Sequence, residues 1–328
     1  MNIEKQRGLS LTELMIALVI GLLFTNGMIA VFMQSKRSFN QDEIVARMQE
    51  DARFAMDELV RDIGMASFLA DLLDPSAVTL DVSLAIGTDC GPGTANWMYE
   101  MIDPATGNRS TITTVDNATP AAATASFSCI AGAEIVPGTD IVGVKRVVGA
   151  PSAALDANGV YLRTNGTVGL LFREPPAVPP AVAVPVPFQD WAYAPVIFYV
   201  RNFGQTPGDG IPTLCKKTLE TGAPPTMVTE CVAAGIEDLQ VEFGLDNDGD
   251  GAPNNYIANP TLAQLQQAIS IRIYLLARGA ESDIAYTNDK VYSLSNAPIV
   301  APADNFYRRV YTTTVVLRDL KNLNRLGL

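Results

Sequence analysis

The sequence predicts an α+β protein: a long N-terminal helix, membrane-spanning in its first half and amphipathic in its second, packed on an antiparallel β-sheet body. Three observations predict it. Leu14 to Met33 is a run of 20 residues without a charge. Beyond it, Val45, Met48, Ala52, Met56, Leu59 and Ile63 recur at steps of three or four. Further on, β-branched apolar runs alternate with Gly-, Pro- and Asn-rich turns.

The uncharged run has the length a helix needs to cross about 30 Å of hydrocarbon. A secretory signal would carry a shorter apolar core followed by an A-x-A-like cleavage site, and no such site is clear here. Lys5 and Arg7 precede the run, and Lys36 and Arg37 follow it, so charge alone does not orient it. Glu13 stands at the edge of the run. A carboxylate at that depth calls for a positive partner or for access to the headgroups.

The amphipathic pattern continues the helix without a proline until Pro75. Charged residues, including Glu50, Arg53, Asp57, Glu58, Arg61 and Asp62, are expected on its wet faces, and Gly64 is its weak point. From Leu9 to Ser67 such a helix would be about 90 Å long at about 1.5 Å per residue. The expected divisions are 9–34 for the membrane half, 35–68 for the amphipathic half and 69–328 for the body.

Strands are expected at Asp140–Val148, Val160–Arg163, Val168–Arg173, Val196–Arg201, Leu239–Leu245, Ile269–Arg278 and Arg309–Leu317. Alternation is clearest in Ser270–Tyr274, which suggests one packed and one wet face. Glu174–Pro187 is too proline-rich for a central strand and reads as an extended loop dividing two sheet lobes near 174–190. Pro104–Ala133, rich in Ala, Thr and Ser, reads as surface loops.

Composition narrows the function. The formal net charge is −12 and no Lys/Arg-rich run occurs, so no nucleic-acid partner is expected. Histidine is absent, which removes the commonest general base, the usual nucleophile pairs and nearly every catalytic zinc site. The expectation is a non-enzymatic chain. Cys90, Cys129, Cys215 and Cys231 form no C-x-x-C. They read as two disulfides for which three connectivities are open, the sequence-local pairs Cys90–Cys129 and Cys215–Cys231 being favoured.

The most specific chemistry in the body is Asp246-Asn247-Asp248-Gly249-Asp250-Gly251. Carboxylates at positions 1, 3 and 5 with Gly at 6 suit one hard cation, and the cofactor expected is one Ca2+. Asp246, Asp248 and Asp250 would ligate by side chain, Ala252 by its carbonyl, and Asn254 directly or through water. Ile257 occupies the twelfth position, where an EF-hand has Glu, so Asn255 is the nearest candidate for a last ligand. Few carboxylates predict weak binding, at about 10⁻⁴–10⁻³ M.

The string Gly8-Leu9-Ser10-Leu11-Thr12-Glu13-Leu14 resembles the processing site of type IV prepilins. The resemblance implies a leader of residues 1–8, cleavage between Gly8 and Leu9 by a prepilin peptidase, and N-methylation at Leu9. The usual first residue is Phe, and here it is Leu9. Glu13 becomes the fifth mature residue, whose family role is to pair with the new ammonium of a neighbouring subunit during assembly.

In the body, Arg53–Ile63, the Asp-rich loop, Ile269–Arg278 and Arg308–Arg318 resemble PilW-type minor pilins. Residues 70–194 carry no such signature. The resemblance implies a non-enzymatic subunit of a type IV pilus, or fimbrium, that primes assembly near the tip. Its partners would be other major and minor pilins. It would sit in the bacterial inner membrane as a single-pass protein with a periplasmic body, then on the cell surface in the pilus. Two alternatives share the anchor: a J-like pseudopilin of a type II secretion system, and an adhesin or ligand-binding module.

Overall fold

A computed structural model describes residues 10–84, 89–91, 97–176, 183–300 and 303–326. Contacts divide the chain into two units, Met1–Arg47 and Met48–Leu328, and helix α1, Leu11–Gly64, runs through the division. In the first unit the side chains of the apolar run are exposed. Thr25, one of its few polar residues, turns its hydroxyl back onto the Gly21 carbonyl at 2.8 Å, which satisfies it inside the helix.

In the second unit α1 buries Met48, Ala52, Ala55, Leu59 and Ile63 at steps of three or four. It ends at Gly64, where a Cβ would stand 3.2 Å from the Val315 side chain. The helix stops short of residue 68, at a close approach to Val315 where any added Cβ would have to push that side chain aside.

Glu58 and Asp62, expected on wet faces, are buried instead. The reason is that the body supplies their partners. Lys216 meets Glu58 at 3.0 Å, and Arg146 meets Asp62 at 2.6 Å. Arg61 also binds Glu58, at 2.5 Å. Burial works against the Glu58 anion, but Lys216 and Arg61 together hold its carboxyl below the usual range.

The body among the described residues holds three larger sheets and a hairpin. The first sheet orders β1 (Val78–Leu80), β5 (Gly169–Arg173), β4 (Val160–Thr164) and β6 (Gln189–Ala192), with β1 parallel to β5. The second orders β2 (Ile112–Val115), β3 (Ile141–Val144), β7 (Val196–Arg201), β8 (Thr213–Glu220) and β9 (Thr226–Ala234), all antiparallel. The third orders β11 (Asn255–Ile257), β10 (Ile236–Leu245), β12 (Ala268–Arg278) and β15 (Arg308–Val316), also antiparallel. Strands β13 (Val291–Leu294) and β14 (Ala297–Val300) form the hairpin.

The seven expected strands are present. Those that went unread, β8 and β9 above all, carry charged and polar residues such as Lys216, Lys217 and Glu230 between their buried ones. The proline-rich stretch joins β5 to β6, both of which pair with β4 in one sheet.

Ile141, Ile197 and Tyr199 of the second sheet share one core with Leu162 and Leu171 of the first. Trp97 and Phe127 join that core with their rings edge to face at 5.6 Å. The stretch read as surface loops, 104–133, therefore needs correcting. It contains β2 and helix α2, Pro120–Ser126, capped by the Thr119 hydroxyl, and it buries Ile112, Phe127 and Ile130. Its apolar residues are too sparse to show a period, and only tertiary packing collects them.

Two buried ionisable residues hold backbone groups that no ladder reaches, and the first joins two sheets. Asp140, just before β3, is fully buried and accepts from the amides of Asn117 and Val241, each at 2.8 Å. Its own amide donates to the Leu239 carbonyl at 2.8 Å. One residue thereby takes the place of a neighbouring strand beside β10. Burial pushes its carboxyl up to about 7, against two amide donors that pull it down. Asp238 nearby is pushed up to about 6 for the same first reason.

Lys145, after β3, is likewise fully buried. Its ammonium donates to the carbonyls of Glu100 at 2.5 Å and Ser110 at 2.6 Å, 5.1 Å from the centre of the Trp97 ring. Burial brings its amine down to about 7.

Two measurements follow. Lys216→Met should lower stability by about 1–3 kcal/mol, the scale of a charged hydrogen bond, while Glu58→Gln combined with it should recover part of that loss. Chemical denaturation of the single and double variants checks both. The stabilisation from protonated Asp140 is complete below its ordinary value of 3.8 and is lost as pH rises through about 7. The Tm of the wild type should therefore rise relative to that of Asp140→Asn as pH falls from 8 to 5; a pH-independent gap would contradict the assignment.

Candidate functional site

Two places carry the expected chemistry, the start of α1 and the Asp-rich loop. Gly8 and Leu9 lie outside the described residues. The first described residue, Ser10, caps α1. Its hydroxyl accepts from the Glu13 amide at 3.2 Å, and Glu13 Oε2 accepts from the Ser10 amide at 2.9 Å and from its hydroxyl at 3.0 Å.

This reciprocal pair is a capping box, and its S-x-x-E signature stands openly in the sequence. Reading Glu13 only as an assembly residue missed it. The carboxylate satisfies the Ser10 amide that the helix leaves unpaired at its start. Both bonds fall on Oε2. The segment that follows is the one helix among the described residues long and apolar enough to cross a membrane, with a mean hydropathy of 2.3 in its most apolar window.

The Asp-rich loop lies between β10 and β11, whose pairing sets Leu245 against Asn255. Asp246 folds its carboxylate back over the turn, accepting from Gly249 at 2.7 Å and Gly251 at 2.9 Å. Both glycines have positive φ, +76° and +87°, a conformation that L side chains rarely adopt. Asp248 accepts from the Asn254 amide group at 3.1 Å and from the Asp250 backbone at 3.4 Å, and these bonds hold its carboxyl below the usual range. Asp250 accepts from the Ala252 backbone at 2.7 Å.

Oxygens of Asp246, Asp248 and Asp250 lie within 4.8 Å of one another, the first half-buried and the other two exposed. The loop thus gathers three anionic donors of the kind a hard cation takes. The other expected ligands are engaged locally. Asn254 Oδ1 accepts from the Asn247 backbone at 2.6 Å, and Asn255 Oδ1 accepts from the Asn247 side chain at 3.3 Å. Ala252 is exposed, and Ile257 sits in β11 opposite Phe243.

One neighbour was not anticipated. Lys321, on helix α4 (Arg318–Leu326), donates to the Gly251 carbonyl at 2.8 Å and sets a positive charge on the rim. No sequence spacing links residues 70 positions apart. Helix α3 (Leu262–Leu265) stands between β11 and β12, capped by Thr261.

The bridges join Cys90 to Cys129 and Cys215 to Cys231. The second ties β8 to β9 across the ladder, where the two residues are register partners.

Two family models match the chain. Residues 4–25 match the prokaryotic N-terminal methylation motif, and residues 197–319 match Type IV Pilus-assembly protein W, PilW. The first covers the capped start of α1, and the second runs from β7 to the start of α4, the Asp-rich loop included. No curated protein and no solved structure matches the chain.

Proposed function

We propose that this chain, a type IV pilin-like minor pilin with a prepilin leader, acts as a non-enzymatic subunit that primes pilus assembly near the tip. One observation carries the reading: a methylation motif at residues 4–25 and a PilW match at 197–319 occur in that order on one polypeptide. A prepilin peptidase cuts between Gly8 and Leu9, and Leu9 is then N-methylated. The new ammonium is the cation that Glu13 of a neighbouring subunit meets on entering the filament.

The apolar half of α1 holds the subunit in the inner membrane before assembly, with the body on the periplasmic side, where disulfides persist. Major and minor pilins are its partners in this reading.

The N-terminal mass of the protein purified from its own host tests the route. A chain beginning at methyl-Leu9 is expected, and one beginning at Met1 refutes the processing step. A deletion strain should lose surface pili while type II secretion continues. Secretion failing with pili intact would instead favour a pseudopilin, and intact pili that no longer adhere would favour an adhesin.

The Asp-rich loop binds one Ca2+ weakly in this reading, through Asp246, Asp248 and Asp250, with Ala252, Asn254 and Asn255 the nearest further oxygens. The present carboxylates fit a divalent cation, since three anions within 4.8 Å repel one another until one is bound. Calorimetry should give a Kd of about 10⁻⁴–10⁻³ M, with a rise in Tm at millimolar calcium that Asp248→Asn reduces. Absence of both heat and thermal shift would remove calcium from the reading.

A further inference from the structure

β15 forms a free edge of the C-terminal sheet. β15 pairs with β12 through nine consecutive residues without a bulge and has no other neighbour in its sheet. The Leu317 amide donates to Ile269, so alternate residues along the strand point their polar backbone toward β12. Val310, Thr312, Thr314 and Val316 point theirs the other way, and none of the four has a backbone partner on that side among the described residues.

Natural edge strands are usually blunted by proline, lysine, a bulge or shortness. The sequence Arg-Arg-Val-Tyr-Thr-Thr-Thr-Val-Val has no proline, lysine or bulge, and its charges, Arg308 and Arg309, stand only at its start, leaving Val310–Val316 uncharged. Thr312, Thr314 and Val316 are all exposed.

Beside the C-terminal half of this edge runs a groove of about 720 Å³. Val60 near the end of α1, Met65 and Phe68 just beyond it, and Val316 give it an apolar lining, and α4 closes it with Arg318 and Asp319. A strand laid on β15 would present every second side chain toward this groove.

Charge selects what that strand carries. Arg309 on β15 and Arg53 on α1 flank Tyr311 at one end of the edge, and Arg318 stands at the other. None of the three arginines enters an ion pair among the described residues. Asp319 is the only carboxylate lining the groove among the described residues, and burial raises its carboxyl. On a chain of net charge −12 this is a basic rim around an unpaired edge. Self-pairing of two copies, antiparallel about Thr312, would bring the Arg309 end of one against the Arg318 end of the other. A heterologous, acidic occupant avoids that repulsion.

We propose that β15 accepts an extended strand with acidic side chains from a different subunit of the same filament, adding a fifth strand to the C-terminal sheet and seating apolar side chains in the adjoining groove. The inference rests on the reading of the chain as a filament subunit.

The test uses the full chain, expressed from its own locus, with a photoreactive residue at Thr312 or at Thr314. After illumination the adducts are mapped by mass spectrometry. Both positions should couple to one acidic segment of another polypeptide, at partner residues two apart, the period of a strand. Thr229 on the edge strand β9 should give at most one tenth as much adduct. Thr314→Pro removes one outward amide at a site where an edge strand tolerates proline, and it should cut the Thr312 adduct at least tenfold.

Partner residues three or four apart, a partner peptide from this chain itself, or equal coupling at Thr229 would each overturn the proposal. Sheared filaments are assayed in parallel. Absence of the chain from them rejects the filament reading and this inference with it, whereas its presence without a Thr312 adduct rejects the edge alone.

Discussion

Two carboxylates on the protein-facing side of α1 fix how the body is built around it. Glu58 reaches Lys216 on β8 and Asp62 reaches Arg146 beyond β3, so one turn of helix is keyed to two separate segments of the second sheet. An apolar stripe alone tolerates rotation and sliding, because burial is non-directional. An ion pair inside a packed contact does not, since moving the helix by one residue would strand four charges away from water. The pairs therefore set the rotation of α1, and Gly64 against Val315 sets how closely the helix end meets the third sheet.

Much of this was legible in the sequence, and the limits have physical reasons. The span, the amphipathic half and the core strands announce themselves by period, because their apolar residues face one side of a regular element. Glu58 and Asp62 were misplaced because a charge looks exposed until its partner is known, and Lys216 and Arg146 lie 158 and 84 residues away. Residues 104–133 failed for the opposite reason: Ile112, Phe127 and Ile130 enter the core singly, with no repeat to betray them. At the two functional places the residue types were plain, but the uses were not. Ser10 was visible and unused, and Lys321 on Gly251 could be found only in three dimensions.

Backbone groups outside the ladders rely on the same use of buried charge. Asp140 substitutes for a strand beside β10, and Lys145 gathers the carbonyls of Glu100 and Ser110 under Trp97. Each satisfies backbone groups that no ladder reaches, at the cost of desolvating itself. These residues lie near or before the start of the family match at 197, in the stretch that carries no signature. Asp140 nonetheless reaches into the matched segment, at Leu239 and Val241.

The box formed by Ser10 and Glu13 also bears on the order of events at the membrane. The bond expected to be cut lies on the far side of that cap, so cutting leaves the hydrogen bonds of the first helical turn untouched. In the proposed route, proteolysis replaces a neutral amide with an ammonium, while the bonds between Ser10 and Glu13 stay in place. On that route the first turn of α1 is capped before and after the cut by the same two residues, Ser10 and Glu13.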